Sequence, residues 1–141
     1  MRLRPLLALA VLLCAPLAAC GSDEASGPQV RRVGDGYESI QDAVDAARSG
    51  DLVLIPSGTY HEAVSVTTDQ LVIRGEDRNG VILDGRNELG NGFDVQADQV
   101  AIENLTVKRY SINGIIFNGG YGSDDPQSGP VGWRASYITA S

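Results

Sequence analysis

The sequence predicts an all-β solenoid, a stack of short strand-bearing coils closed at its N-terminal end by one amphipathic helix. Three observations predict it. An apolar helical face beginning at Ser39 runs directly into a strand-like segment at Leu52–Ile55. Beyond it, short apolar runs recur with matching patterns at spacings of roughly 20–30 residues. Between the runs stand turn residues: Asp84-Gly85, Asn87, Asn113-Gly114 and Asn118-Gly119-Gly120. A β-sandwich also shows many short strands. Its strands are longer and hairpin-linked, and nothing in that architecture makes corresponding motifs recur at a shared period.

The chain has 141 residues, the size of one domain. Its first nineteen read as an export leader. Arg2 and Arg4 form a basic start, and Leu6 to Leu13 form an apolar run too short to span a bilayer comfortably. Leu17-Ala18-Ala19-Cys20 resembles the bacterial lipobox, in which the cysteine receives a diacylglyceryl group and becomes the new N-terminus. An ordinary secretory signal cut after Ala19 would leave Cys20 incidental. The position of Cys20 directly after an export signal, before small and polar Gly21-Ser22, favours a lipoprotein acylated at Cys20 with palmitate-class chains. Two or three acyl chains hold a protein at a membrane far more firmly than one.

Loss of the leader removes Cys14, so Cys20 is the only cysteine left and no intramolecular disulfide is expected. It also removes Arg2 and Arg4, taking eleven basic residues to nine against eighteen acidic ones. That balance argues against nucleic acid and anionic membrane surfaces as partners. Residues 20–30 (CGSDEASGPQV) read as a flexible tether, and 31–141 as the folded domain.

Ser39 is a good helix N-cap, with Asp42 three residues on as a short stand-in for a capping-box glutamate. Ile40, Ala43, Val44 and Ala47 fall on one face. Arg48 lies in the expected last turn and Gly50 at the left-handed stop, giving a helix of about ten residues. Leu52–Ile55 is a continuous apolar run, the pattern of a strand buried on both faces. Pro56-Ser57-Gly58-Thr59 reads as a turn. Tyr60 to Thr67 then alternates, with Ala63 or Val64 and Val66 as inward candidates.

The pattern of Leu71–Gly75 recurs at Val100–Asn104, and that of Gly92–Val95 recurs at Gly114–Phe117. Val100, Ile102 and Val107 recur as Val131, Trp133 and Ile138, an offset that would put Ala135 opposite Asn104. A stack of coils ends in an open core and open strand edges that need a cap. The helix before the first coil does that.

The run Ile40-Gln41-Asp42-Ala43-Val44, then Gly50-Asp51-Leu52-Val53 and Pro56-Ser57-Gly58-Thr59-Tyr60-His61-Glu62, resembles the N-terminal cap and first coil of the pectin-lyase-like right-handed parallel β-helix superfamily. Ile102-Glu103-Asn104-Leu105-Thr106-Val107 resembles the coil motif of the same superfamily. The likeness covers about residues 38–141 and implies three parallel sheets per coil, with coils about 4.8 Å apart. It is specific for fold and poor for function. Members include pectate and pectin lyases, pectin methylesterases, polygalacturonases, alginate epimerases and coils without known activity. In pectin methylesterases the Gly58-Thr59-Tyr60-x-Glu62 motif belongs to the first coil and is structural. The catalytic motifs of that family's later coils, such as G-D-F-I-F-G, are absent.

Acidic residues are the source of catalysts in glycoside hydrolases and calcium-dependent lyases. Asp84, Asp94, Asp98, Glu103, Asp124 and Asp125 are the candidates. Asp94 should point outward between inward Phe93 and Val95, but its counterpart one repeat on is Ile116. The ladder of carboxylates that calcium needs is therefore missing, and no cofactor is expected. Gly119 to Pro130 reads as a long polar loop, where Tyr121, Asp124 and Asp125 could meet a sugar. His61 is the only histidine and no G-x-S-x-G is present, which removes a nucleophile-elbow hydrolase. One histidine, one acylated cysteine and no methionine after leader removal argue against a transition-metal site. Asn104 reads as a turn residue. Arg74, Arg86, Arg109 and Arg134 could pair a uronate carboxylate.

The sequence reading is an exported, lipid-anchored β-helix protein of the bacterial cell envelope, held at the membrane through Cys20. Its expected role is a carbohydrate-binding or surface scaffold module, with polysaccharide as the candidate ligand. The alternative is a polysaccharide-active lyase, esterase, hydrolase or epimerase on acidic glycans whose catalytic coils lie beyond Ser141. The apparent stop at Ile138-Thr139-Ala140-Ser141, in mid-coil, is what suggests a truncated solenoid.

Overall fold

A computed structural model describes residues 27–118 and 131–141. Among these residues ten strands and one helix follow the chain: β1 (Val30–Arg32), α1 (Ile40–Asp45), β2 (Leu52–Ile55), β3 (Gly58–Tyr60), β4 (Val64–Val66), β5 (Val72–Gly75), β6 (Val81–Asp84), β7 (Asn91–Val95), β8 (Ala101–Lys108), β9 (Asn113–Phe117) and β10 (Arg134–Ala140). Every pairing between these strands is parallel. One column runs β1-β2-β5 to the first half of β8; a second runs β3-β6 to its second half; a third runs β4-β7-β9. β10 lies along the whole of β8. Strand, corner, strand, corner, strand, and then one level down: this is a parallel β-helix.

The core is a set of aliphatic ladders inside the three columns. Val53, Ile73 and Ile102 align in the first, Leu83 and Val107 in the second, and Val64 and Phe93 in the third, each at most 2% exposed. Outward neighbours such as Ser65 are exposed, as a pleated strand requires. Leu52–Ile55 keeps its alternation: Val53 and Ile55 are buried, but Leu52 and Leu54 are only half-covered. The strand is therefore buried on one face, not two, because no layer lies over the outside of its column among the described residues.

The capping box of α1 is complete. Ser39 Oγ accepts from the Asp42 amide at 3.0 Å, and the Asp42 carboxylate accepts from the Ser39 amide at 3.1 Å. Ile40, Ala43 and Val44 bury the predicted face against β2 and β4. The helix is six residues long rather than about ten, and Arg48 lies beyond it. Asp51 is the reason: its carboxylate takes the Arg48 amide at 2.9 Å and the Gln29 amide at 2.8 Å, pulling the chain out of helical register. Gly50, at φ +90°, completes the turn. Val30 is already in β1 and Gln29 is tied to Asp51, so described structure reaches into residues expected in the tether. The turn at Pro56 is also shorter than expected, since Gly58 and Thr59 pair with Val81 and Ile82.

The first two repeats read from the sequence set the register: Val72 faces Ala101, and Phe93 faces Ile115. The third repeat is displaced by two positions. Ile102 faces Ala135 and Leu105 faces Ile138, so Asn104 corresponds to Tyr137 rather than Ala135. Asn104 (φ 58°) and Tyr137 (φ 55°) both take the left-handed bend that breaks their strands in half. Bending is decided by backbone, and a tyrosine in place of an asparagine hides it from pattern matching.

Candidate functional site

The outer face of the β4-β7-β9 column carries an open cleft of about 240 Å³ lined by Ala63, Val64, Ser65, Asn91 and Asp94. Inward Phe93 and Val95, both 0% exposed, force Asp94 outward between them, as its sequence position predicts. Register then places Ser65, Asp94 and Ile116 in one row and Asn91 and Asn113 in another. The Asn113 amide donates to Asn91 Oδ1 at 3.1 Å, and the Asn118 amide donates to Asp94 Oδ1 at 2.6 Å. At the upper edge, Gln41 mimics a strand: its side chain accepts from the Ser65 amide at 2.8 Å and donates to the Ser65 carbonyl at 3.1 Å. A carboxylate, amides and a hydroxyl beside the small apolar Ala63 suit hydroxyl-rich ligands, which offer donors and acceptors on a weakly polar ring.

The other acidic candidates hold the coils together. Asp84, 4% exposed, is gripped through both oxygens by the Arg109 guanidinium, with Lys108 Nζ at 3.9 Å and the Arg86 amide on Oδ1 at 3.0 Å. The Arg109 hydrogen bond, outweighing burial, holds the Asp84 carboxyl at about 2. Glu103, 7% exposed, lies between Arg74 and Arg134 from the coils above and below. Burial of Asp51 opposes its ionisation, but the Arg48 and Gln29 amides and the Arg31 guanidinium prevail and hold its pKa below the usual value. Asp98 accepts the Val131 amide at 2.9 Å, and Asp69 accepts the Asp98 amide at 2.8 Å. Three of the four arginines considered for uronate binding, Arg74, Arg109 and Arg134, are thus engaged with carboxylates of their own chain.

The Gly58–Glu62 motif, expected from the sequence to be structural, makes contacts that tie the first coil to the helix and to the coil below. Tyr60 Oη donates to the Pro56 carbonyl at 2.8 Å. The Glu62 carboxylate accepts from the amides of Ile40 and Gln41, both at 3.2 Å, so the first coil caps the helix. His61 Nδ1 lies 2.8 Å from the Asp84 carbonyl. Tyr110 Oη donates to the Glu62 carbonyl at 2.5 Å, and burial, with Glu62 and Asp84 adding to it, pushes the phenol up to about 12. Among the described residues no group of three or more His, Cys, Asp or Glu side chains comes together to hold a metal. Cys20, Tyr121, Asp124 and Asp125 lie outside the described residues. Ser65, Asn91, Asn113 and Asn118 were missed by acid-centred reasoning. The repeat that aligns Asn91 with Asn113 was the signal that could have found them.

The site is thus an outward cleft on the third column of a parallel β-helix. No family model matches the chain. Over 53 residues the chain is 34% identical to pectinesterase A of Dickeya chrysanthemi and, over a stretch of the same length, 34% identical to pectinesterase A of Dickeya dadantii; each match takes in 36% of this chain and 14% of the relative. Solved structures that resemble it include a pectin methylesterase in complex with a hexasaccharide (TM-score 0.46, 22% identity) and pectin methylesterase PemA from Erwinia chrysanthemi (TM-score 0.45, 20% identity). In both cases 77% of this chain is covered and 38% of the other. The chain therefore spans about a seventh of the length of the curated relatives it matches.

Proposed function

We propose that this chain contributes a glycan-binding coil stack to a carbohydrate esterase acting on methyl-esterified polyuronate. The observation that carries the reading is the 34% identity over 53 residues to two pectinesterases. The cleft fits it: Asp94, Asn91 and Ser65 supply donors and acceptors for sugar hydroxyls, and exposed Ala63 supplies an apolar contact. Asp84, Glu103 and Asp51 are committed to arginines, so ester hydrolysis is assigned to groups outside the described residues. The engagement of Asp84, Glu103 and Asp51 by arginines supports a second reading, in which this coil stack binds glycan without turning it over. Export through the leader at residues 1–19 and anchoring at Cys20 in the cell envelope belong to the proposal. Labelling with radioactive palmitate, lost in Cys20→Ser, tests that part.

Affinity electrophoresis through highly methylated and de-esterified polygalacturonate, with methanol release measured in parallel, separates the readings. Retardation with methanol release supports the esterase, and retardation alone supports the binding module. Migration unaffected by either polymer overturns both.

A further inference from the structure

The cleft on the third column owes its polarity to the coil below it. Asn113 and Asn118 each spend an amide N–H on β7: Asn113 Nδ2 donates to Asn91 Oδ1 at 3.1 Å, and Asn118 Nδ2 donates to Asp94 Oδ1 at 2.6 Å. Left over are the Asn91 Nδ2 donor and the Asp94 Oδ2 acceptor, neither with a partner among the described residues. A donor beside an acceptor matches two neighbouring hydroxyls, one accepting and one donating. An anionic group can use only the Asn91 half of that pair.

The charge around the pair has one sign. Asp94 is the only charged side chain lining the cleft. Its row-mates Ser65 and Ile116 are neutral, as is the Asn91–Asn113 row. At the upper edge the Gln41 amide is tied to another acid, Asp45 Oδ1, at 2.7 Å. The nearest cations by sequence are committed elsewhere, Lys108 and Arg109 to Asp84. Among the described residues no lysine or arginine pairs with Asp94. Residues 119–130, which follow Asn118 in sequence, bring Asp124 and Asp125 and no basic residue.

We propose that Asp94 is a specificity-determining residue, which lets the cleft take uncharged, esterified uronate units and turn away ionised ones. The inference rests on the reading of this cleft as a glycan site and holds whether or not the polymer is turned over. Esterification removes the charge of the sugar and keeps its ring hydroxyls. The Asn91–Asp94 pair therefore serves both forms, and the discrimination comes from repulsion of the wrong one.

The test measures depletion of the full chain from solution by beads of highly methylated or de-esterified polygalacturonate. Wild type should bind the methylated beads more tightly. Asp94→Asn, nearly isosteric, should narrow that preference by roughly three- to fivefold, the worth of one charge contact in a solvent-open cleft. Ser65→Asp, on the exposed row-mate, should widen it. Asp35→Asn, an equal change in net charge on the side of Arg32, should leave it unchanged. Three results would overturn the proposal: wild type binding both beads equally or favouring the de-esterified ones; a preference that neither cleft variant moves while far-UV circular dichroism shows both folded; or Asp35→Asn narrowing it as far as Asp94→Asn. Failure to bind either kind of bead overturns the glycan reading itself, and this inference with it.

Discussion

Glu62 gives the sharpest test of whether the most motif-like run in the chain builds or reacts. Its carboxylate accepts two backbone amides at the start of α1, those of Ile40 and Gln41. Glu62→Ala strands both donors at the positive end of the helix. Hydrogen bonds to a charged group contribute about 1.5–3 kcal/mol, and a carboxylate at a helix N-terminus roughly 0.3–1 kcal/mol. The two descriptions overlap, and at 3.2 Å both bonds are long. The expected loss is therefore about 2 kcal/mol. For a domain of about 100 residues that lowers the melting temperature by roughly 8–16 °C. Because α1 covers the top of the core, the loss should appear as a lower urea midpoint by circular dichroism. Glycan binding per folded molecule should be unchanged. A Glu62→Ala protein with the wild-type midpoint but without binding or methanol release would refute the argument and make Glu62 a working residue.

Asp84 has a folded pKa of about 2 against 3.8 for the free side chain, so its contribution to stability is complete above about pH 4 and is withdrawn as pH falls toward 2. Arg109→Gln should flatten that acid limb of the stability curve, read by circular dichroism. Gly75→Ala should be strongly destabilising in thermal melts, because a Cβ there would sit 2.3 Å from the Asn104 carbonyl oxygen of the neighbouring coil. Phe93→Ala removes the largest fully buried side chain and should cost about 3–5 kcal/mol in urea denaturation. Asp94→Ala, half-exposed on the cleft, should leave the urea midpoint within about 0.5 kcal/mol of wild type and weaken retardation in the glycan gel.

Much of the fold was legible because burial dictates it. Ile40, Ala43 and Val44 had to cover something, and Val66, Phe93 and Val95 had to point inward; each does, and of Ala63 or Val64 it is Val64 that joins them. The registers of β5 on β8 and of β7 on β9 followed from matching apolar positions. The third register failed by two positions because β10 has few buried side chains to pin it, and its bend is at Tyr137, a residue type that announces no bend. The helix end failed for another reason: Asp51 captures the Arg48 amide from outside the helix, a tertiary contact invisible to helical periodicity. The cleft was half-legible. Alternation exposes Asp94, but Asn91 and Asn113 meet only once coils are stacked.

The acidic composition suggests a reservoir of catalysts or cation ligands, and the structure shows why that reading of composition misleads in a solenoid. A stacked coil has corners at every level, and each corner leaves backbone amides to satisfy. Asp51 serves Gln29 and Arg48, Asp69 serves Asp98, Asp98 serves Val131, and Glu62 serves Ile40 and Gln41. Asp84 and Glu103 in turn tie arginines from neighbouring coils. A carboxylate is suited to this task because it accepts from several donors at once, and at Asp51 and Asp84 those partners hold the pKa below its usual value. Asp94 differs from them in lining the cleft. Like Glu103 it stands on a strand, but its hydrogen bond comes from the neutral side chain of Asn118 rather than from backbone or a guanidinium. That contrast singles out Asp94, among the acidic candidates the structure describes, as the one placed to meet a ligand.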